Sequence, residues 1–144
     1  MRTIVTDFIN DPELRQWIKT DEGYKDSLYK DSVGKWTIGY GRNIEDNGIL
    51  PDEGELMFTN DLKRAIKDVE GFTWYLNSPD GVKKALINMS FNMGLPRLLG
   101  FRKMIAALIV KDYTKASIEA LDSVWSKQVG SRAKEIAVMI REGK

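Results

Sequence analysis

Two residue types are missing from this 144-residue chain, and their absence removes whole classes of chemistry. It contains no cysteine, so a disulfide scaffold, a thiolate metal site and a thiol nucleophile are excluded. It contains no histidine, so there is no Ser-His-Asp triad, no HExxH zinc site and no imidazole base. Carboxylates, hydroxyls, lysines and the backbone remain to carry any reaction. Long apolar runs are also missing. No stretch approaches the ~20 residues that span a bilayer, so no stable membrane insertion is expected. The first residues, MRTIVTDFINDPEL, interrupt their apolar stretch at Asp7, Asn10 and Asp11 and lack the continuous core of a signal peptide.

What is present suits one domain with its own core, because 42% of the residues are hydrophobic and 10% aromatic. The net charge of +1 conceals two opposed halves. Residues 1–80 hold 10 Lys/Arg against 16 Asp/Glu, and residues 81–144 hold 12 against 5. The basic half is expected to face an anionic partner such as nucleic acid, an anionic membrane or a bacterial cell wall. A dense basic recognition helix would favour nucleic acid, but the last helical stretch mixes Arg132, Lys134 and Arg141 with Glu135 and Glu142. No nucleic-acid partner is therefore expected.

Along the chain, Asp11-Pro12-Glu13 reads as a helix start, with a capping acid before a proline whose missing N–H costs nothing in the first turn. Leu14, Trp17 and Ile18 make one apolar stripe, and Gly23 ends the helix just after Glu22. Residues 27–41 favour strand and hold the turn cluster Asp31-Ser32-Val33-Gly34, which predicts a small hairpin with Asp31 opening its turn. Gly39 and Gly41 flank Tyr40, which suggests a bend or close backbone approach. Helices dominate from Pro51. One carries the stripe Leu56, Leu62, Ile66 and Val69; a second, lined by Val82, Leu86, Met89 and Met93, runs from Ser78-Pro79 to Gly94. Phe101–Val110 predicts a buried helix, and short helices over 112–121, 123–127 and 131–142 follow. The expected fold class is α+β and mostly helical, a single domain over 1–144. It has a small acidic hairpin lobe at about 20–50, a basic helical lobe at about 78–144, and a cleft for an extended substrate between them.

Glu22 and Asp31 are the best chemical candidates. One ends a helix, whose negative dipole end favours a protonated carboxyl; the other opens a turn, whose N–H groups favour a charged one. Two carboxylates in unlike settings suit glycoside hydrolysis, with one as acid and the other ionised. A Glu at a helix end is equally the ordinary solvated case in a chain with 21 acids.

Three segments carry a resemblance: Asp21-Glu22-Gly23 with Leu28-Tyr29-Lys30-Asp31 and Trp36-Thr37-Ile38-Gly39-Tyr40-Gly41; then Ala85 to Gly94; then Gly100-Phe101, Trp125 and Ser131-Arg132-Ala133-Lys134. In order and spacing they resemble the phage-type lysozymes, the muramidase endolysins of tailed bacteriophages in glycoside hydrolase family twenty-four. The likeness covers most of residues 11–142 and implies a lysozyme-like two-lobed fold. It also implies catalytic roles for Glu22, Asp31 and Thr37: Glu22 protonates the glycosidic oxygen while Asp31 and Thr37 hold the attacking water, with inversion. Phe91 and Asn92 match substrate-facing family positions, Asn43 lies within reach of the same cleft, and Arg132 matches an arginine that supports the catalytic Glu. Trp125 is expected in the core. Arg42 stands where the family often has His.

The implied reaction is cleavage of the β-1,4 bond between N-acetylmuramic acid and N-acetylglucosamine, with no cofactor and no metal. The implied partner is bacterial peptidoglycan, acted on by a monomer. The implied setting is bacteriolysis and cytolysis at the end of phage infection. The enzyme waits in the host cytoplasm until a separate phage protein permeabilises the membrane, then acts on peptidoglycan in the periplasm. A lytic transglycosylase and a non-catalytic wall-binding protein are the alternatives. The presence of Asp31 and Thr37 beside Glu22 disfavours both.

Overall fold

The computed structural model describes residues 8–144; the reading of the first seven residues as lacking a signal-peptide core lies outside them. The chain divides into two compact units, Met1–Gly54 and Glu55–Lys144. The fold is α+β, with many helices and one small antiparallel sheet.

The first unit begins with α1 (Pro12–Glu22). The Asp11 carboxylate accepts from Glu13 N at 3.2 Å, Pro12 takes the first position, and Gly23 ends the helix at φ 70°, its N–H donating to Lys19 O. Three strands follow: β1 (Lys25–Lys30), β2 (Trp36–Gly39) and β3 (Arg42–Asn43), in the order β1-β2-β3. Thr37 sits opposite Tyr29 on one side and Asn43 on the other. The predicted hairpin is β1–β2; β3 extends it to a third strand that residue pattern alone did not reveal, because two residues carry no periodicity. A short α2 (Ile44–Asn47) and the start of α3 (Pro51–Glu70) complete the unit, whose boundary falls in the first turns of α3.

The apolar stripe of α1 does not enter a core. The helix has no buried residue, and Trp17 and Ile18 are exposed. Leu14, Trp17 and Ile18 line open depressions with Phe8, Ile9 and Tyr40. Some fifty residues of chain enclose too little volume for a conventional core. Among residues 8–54, Thr37 alone is buried.

The second unit is helical: the rest of α3, α4 (Asp80–Met93), α5 (Leu95–Leu99), α6 (Arg102–Ile109), α7 (Tyr113–Leu121), α8 (Val124–Val129) and α9 (Ser131–Glu142). The expected stripe of α4 holds throughout, since Val82, Leu86, Met89 and Met93 are buried. They join Val69, Leu98, Met104, Leu108, Ile136 and Ile140 in one cluster, with α9 packed on α7 and α4 and α6 packed on α7. Each such aliphatic side chain contributes about 1.5–3 kcal/mol on burial. The stripe of α3 is buried only towards its C-terminus: Val69 is enclosed, whereas Leu56 is exposed. Gly81 brings α4 against the chain end, where its N–H meets Gly143 O at 3.3 Å and a Cβ would strike the Gly143–Lys144 backbone.

One polar atom in this core has no partner. Ser90 Oγ is buried without a hydrogen bond among the described residues. A buried hydroxyl left unpaired costs about 1–3 kcal/mol. Ser90→Ala is therefore expected to raise stability by about 1 kcal/mol, measured by urea unfolding. A loss of about 1 kcal/mol or more would show that the hydroxyl is satisfied.

Candidate active site

Glu22, Asp31 and Thr37 all lie in the first unit, each on the element the sequence assigns it. Glu22 is the last residue of α1, with an exposed side chain. Its carboxyl group lies over Gly41, in the turn between β2 and β3, where a Cβ would lie 2.8 Å from Glu22 Cδ. That turn is held to the end of α1 by Tyr40. The Tyr40 ring packs against Tyr24 at 4.9 Å between centroids, and the Lys19 ammonium lies 5.2 Å from its centre. Such contacts add about 0.5–1.5 kcal/mol each.

Asp31 opens the turn between β1 and β2. Its Oδ1 accepts two backbone N–H bonds, from Val33 at 3.0 Å and Lys35 at 2.9 Å. Its own N–H donates to Lys35 O, and Gly34 N–H donates to Asp31 O, both at 3.0 Å. Oδ2 has no hydrogen bond among the described residues and stays open as an acceptor.

Thr37 is buried on β2, and its hydroxyl donates to Lys35 O at 2.9 Å. With its proton so committed, Oγ1 can only accept from a third group. The backbone of Lys35 thus joins both residues: its N–H holds the Asp31 carboxylate and its C=O holds the Thr37 hydroxyl. The Lys35 ammonium is fixed as well, by Asp46 at 3.2 Å and Glu45 at 3.5 Å. The hydrogen bond and charge of Asp46, then those of Glu45, raise the Lys35 pKa, and the Asp46 carboxyl is lowered in turn by Lys35 and Asn43.

The other residues singled out in the sequence have defined partners. Asn43 caps α2: its Oδ1 accepts from Asp46 N and its Nδ2 donates to Asp46 Oδ2, both at 3.0 Å, so its amide is engaged locally. In the second unit, Asn92 Oδ1 accepts from Trp125 Nε1 at 2.8 Å, and its amide NH2 has no acceptor among the described residues. Trp125 is buried, edge-on to Phe101, in the core role expected of it. Phe91 is partly exposed and packs on Phe58 at 5.6 Å. Arg132 Nε donates to Asn88 Oδ1 at 2.8 Å. Among the described residues no group of three or more carboxylates could hold a metal ion, and no helix is long and apolar enough to cross a membrane.

Arg42, the departure from the resemblance, forms a two-pronged ion pair. Its Nη1 and Nη2 reach Glu53 Oε1 and Oε2 at 2.8 and 2.6 Å, and Nη1 also reaches Gly48 O. Glu53 additionally accepts from Leu50 N at 2.7 Å. Neither Lys35 nor Glu53 stands out in the sequence. One acts through its backbone, and the other is an ordinary acid in the first turn of a helix.

The phage lysozyme family model matches residues 19–141. Two proteins of Dictyostelium discoideum, probable T4-type lysozymes 1 and 2, are each 29% identical over 160 residues, covering 90% of this chain and 94% of theirs. The pre-baseplate central spike protein Gp5 of Enterobacteria phage T4 is 26% identical over 170 residues, covering 97% of this chain and 29% of that protein. A helix-dominated α+β fold with these matches defines a glycoside hydrolase of the muramidase class. The chain belongs to the phage lysozyme family.

The Arg42–Glu53 pair carries a pH signature. The Arg42 guanidinium, then the Leu50 N–H, depress the Glu53 carboxyl from 4.5 to about 2. A depressed carboxyl adds stability above its unfolded value that is lost as pH falls through its folded one. Glu53→Gln should therefore lower the melting temperature at neutral pH, and the gap from wild type should close between about pH 4.5 and pH 2. A gap that stays constant across that window would mean the pair contributes nothing to stability.

Proposed function

We propose that this lysozyme is an endolysin that hydrolyses the β-1,4 bond between N-acetylmuramic acid and N-acetylglucosamine in bacterial peptidoglycan, by one displacement with inversion. The observation that carries the mechanism is the backbone of Lys35, whose N–H holds the Asp31 carboxylate and whose C=O holds the Thr37 hydroxyl, each with one acceptor uncommitted among the described residues. A water donating one hydrogen to Asp31 Oδ2 and the other to Thr37 Oγ1 has a lone pair left to attack. Its oxygen bonds to the anomeric carbon as the glycosidic C–O bond breaks. Asp31 takes a water proton, and Glu22 gives its own to the departing sugar oxygen. Inversion needs the two carboxyls set ~6.5–9.5 Å apart so that a water fits, and a hydroxyl that can only accept has a clear task beside that water.

Asn92, whose amide oxygen is taken by Trp125, is proposed to donate from its NH2 to substrate acetamido or hydroxyl oxygens, with Phe91 beside it on α4. Arg132 is proposed to support the acid, and Asn43 to shape the site through its cap on α2. The proposed setting is lysis of a bacterial host. The enzyme is held in the cytoplasm as a monomer until a separate phage protein opens the membrane, and then acts on periplasmic peptidoglycan.

Glu22→Gln should lower turnover by ~10²–10⁴-fold, the usual share of a general acid. Asp31→Asn and Thr37→Val should lower kcat with KM little changed, since they act on the nucleophile and not on sugar binding. Turnover at wild-type rate in Glu22→Gln would sink the acid assignment. Mass spectrometry of the digest checks the reaction class: reducing muropeptide ends are expected, and anhydro ends would replace hydrolysis by transglycosylation.

A further inference from the structure

We infer that Gly41 is a positioning residue for the proton donor, and that it is glycine because the Glu22 carboxyl occupies the space a side chain would need. This inference rests on the proposed role of Glu22. Five glycines of the first unit have positive φ: Gly23, Gly34, Gly39, Gly41 and Gly48. At four of them a Cβ would meet nothing within 4 Å, so backbone conformation alone accounts for glycine there. Gly41 is different. A Cβ on it would collide with Glu22 Oε2 and stand 2.8 Å from Cδ and 3.2 Å from Cγ.

Both partners are anchored at the backbone, so the Glu22 side chain is the part that must give way. Glu22 is fixed at its Cα by the end of α1, where Gly23 N–H donates to Lys19 O at 2.9 Å. Gly41 is fixed from both neighbours. Tyr40 packs on Tyr24 and under the Lys19 ammonium, and Arg42 forks onto Glu53 and Gly48 O. The carboxyl also has no hydrogen bond among the described residues to aim it. The bare backbone of Gly41 therefore gives the Glu22 carboxyl its seat, by contact on one face. A side chain at position 41 would swing the carboxyl into another rotamer and carry its proton away from the leaving oxygen. Displacement of a reacting group by ~1 Å costs about a hundredfold in rate.

The same turn supplies the control. Gly39 has φ +69°, close to the +73° of Gly41, with open space at its Cβ position. Gly39→Ala and Gly41→Ala thus both place an alanine at a similar positive φ, and only the second meets Glu22. On soluble peptidoglycan fragments, Gly41→Ala should lower kcat about a hundredfold more than Gly39→Ala, with similar melting temperatures and KM values. In a Glu22→Gln background, Gly41→Ala should cost nothing further in rate, because it acts through a proton that is already gone. Equal losses in the two alanine variants would overturn the inference, as would a full rate loss from Gly41→Ala in the Glu22→Gln background. Either result leaves the acid assignment standing, whereas an active Glu22→Gln enzyme removes both together. If Gly41→Ala is too unstable to assay, the comparison moves to Glu22→Ala. With that side chain removed, the melting-temperature cost of Gly41→Ala should fall to that of Gly39→Ala, and a cost that does not fall refutes the contact.

Discussion

One residue, Lys35, ties together through its backbone the two side chains proposed to hold the attacking water. Its N–H closes the turn onto the Asp31 carboxylate and its C=O receives both the Asp31 N–H and the Thr37 hydroxyl. Two backbone groups of one residue, on either side of its Cα, thereby anchor two side chains six residues apart. Backbone-anchored groups lose little freedom when substrate arrives, and such preorganisation supplies much of enzymatic rate enhancement. Among the described residues, Asp31 Oδ2 and the acceptor side of Thr37 Oγ1 have no hydrogen bond.

The two units are held by different forces. The second closes a conventional aliphatic core around Leu86, Met89, Leu108 and Ile136. The first, in its described residues, buries Thr37 alone and relies on directional contacts: caps at Asp11 and Asn43, the Arg42–Glu53 fork, the Lys35 pairs with Glu45 and Asp46, and the Tyr24–Tyr40 stack. Hydrogen bonds and forked ion pairs specify geometry more strictly than apolar burial does, though each contributes less stability. The groups proposed for catalysis all sit in this polar unit. Arg42 illustrates the substitution logic: a guanidinium there binds a carboxylate through two parallel bonds and stays charged at any working pH, as an imidazole would not.

Much of this was legible in the residues. Asp11-Pro12 and Gly23 bracketed α1, the turn cluster at Asp31 predicted the β1–β2 hairpin, and the stripe from Val82 to Met93 gave the core face of α4. The turn amides on Asp31 followed from its position as well. Other features had no local signal. β3 is too short to show alternation, and the exposure of Trp17, Ile18 and Leu56 depends on what surrounds them, not on their spacing. Asn43 read as a loop amide and proved to be a cap, because its partner Asp46 lies within a helix of only four residues. Lys35 was invisible because its backbone does the holding. Glu53 was invisible because its pairing spans eleven positions across a bend. The Gly39-Tyr40-Gly41 motif announced a close approach without naming Glu22 as the group approached.

The central claim is that Asp31 and Thr37 hold a water and that Asp31 is not itself the nucleophile. Proton NMR of the first sugar product, read before mutarotation, tests it most directly. Direct attack by a held water on a β-linked substrate must release the α-anomer first. Initial accumulation of the β-anomer would contradict the account, because it would require a covalent intermediate on Asp31.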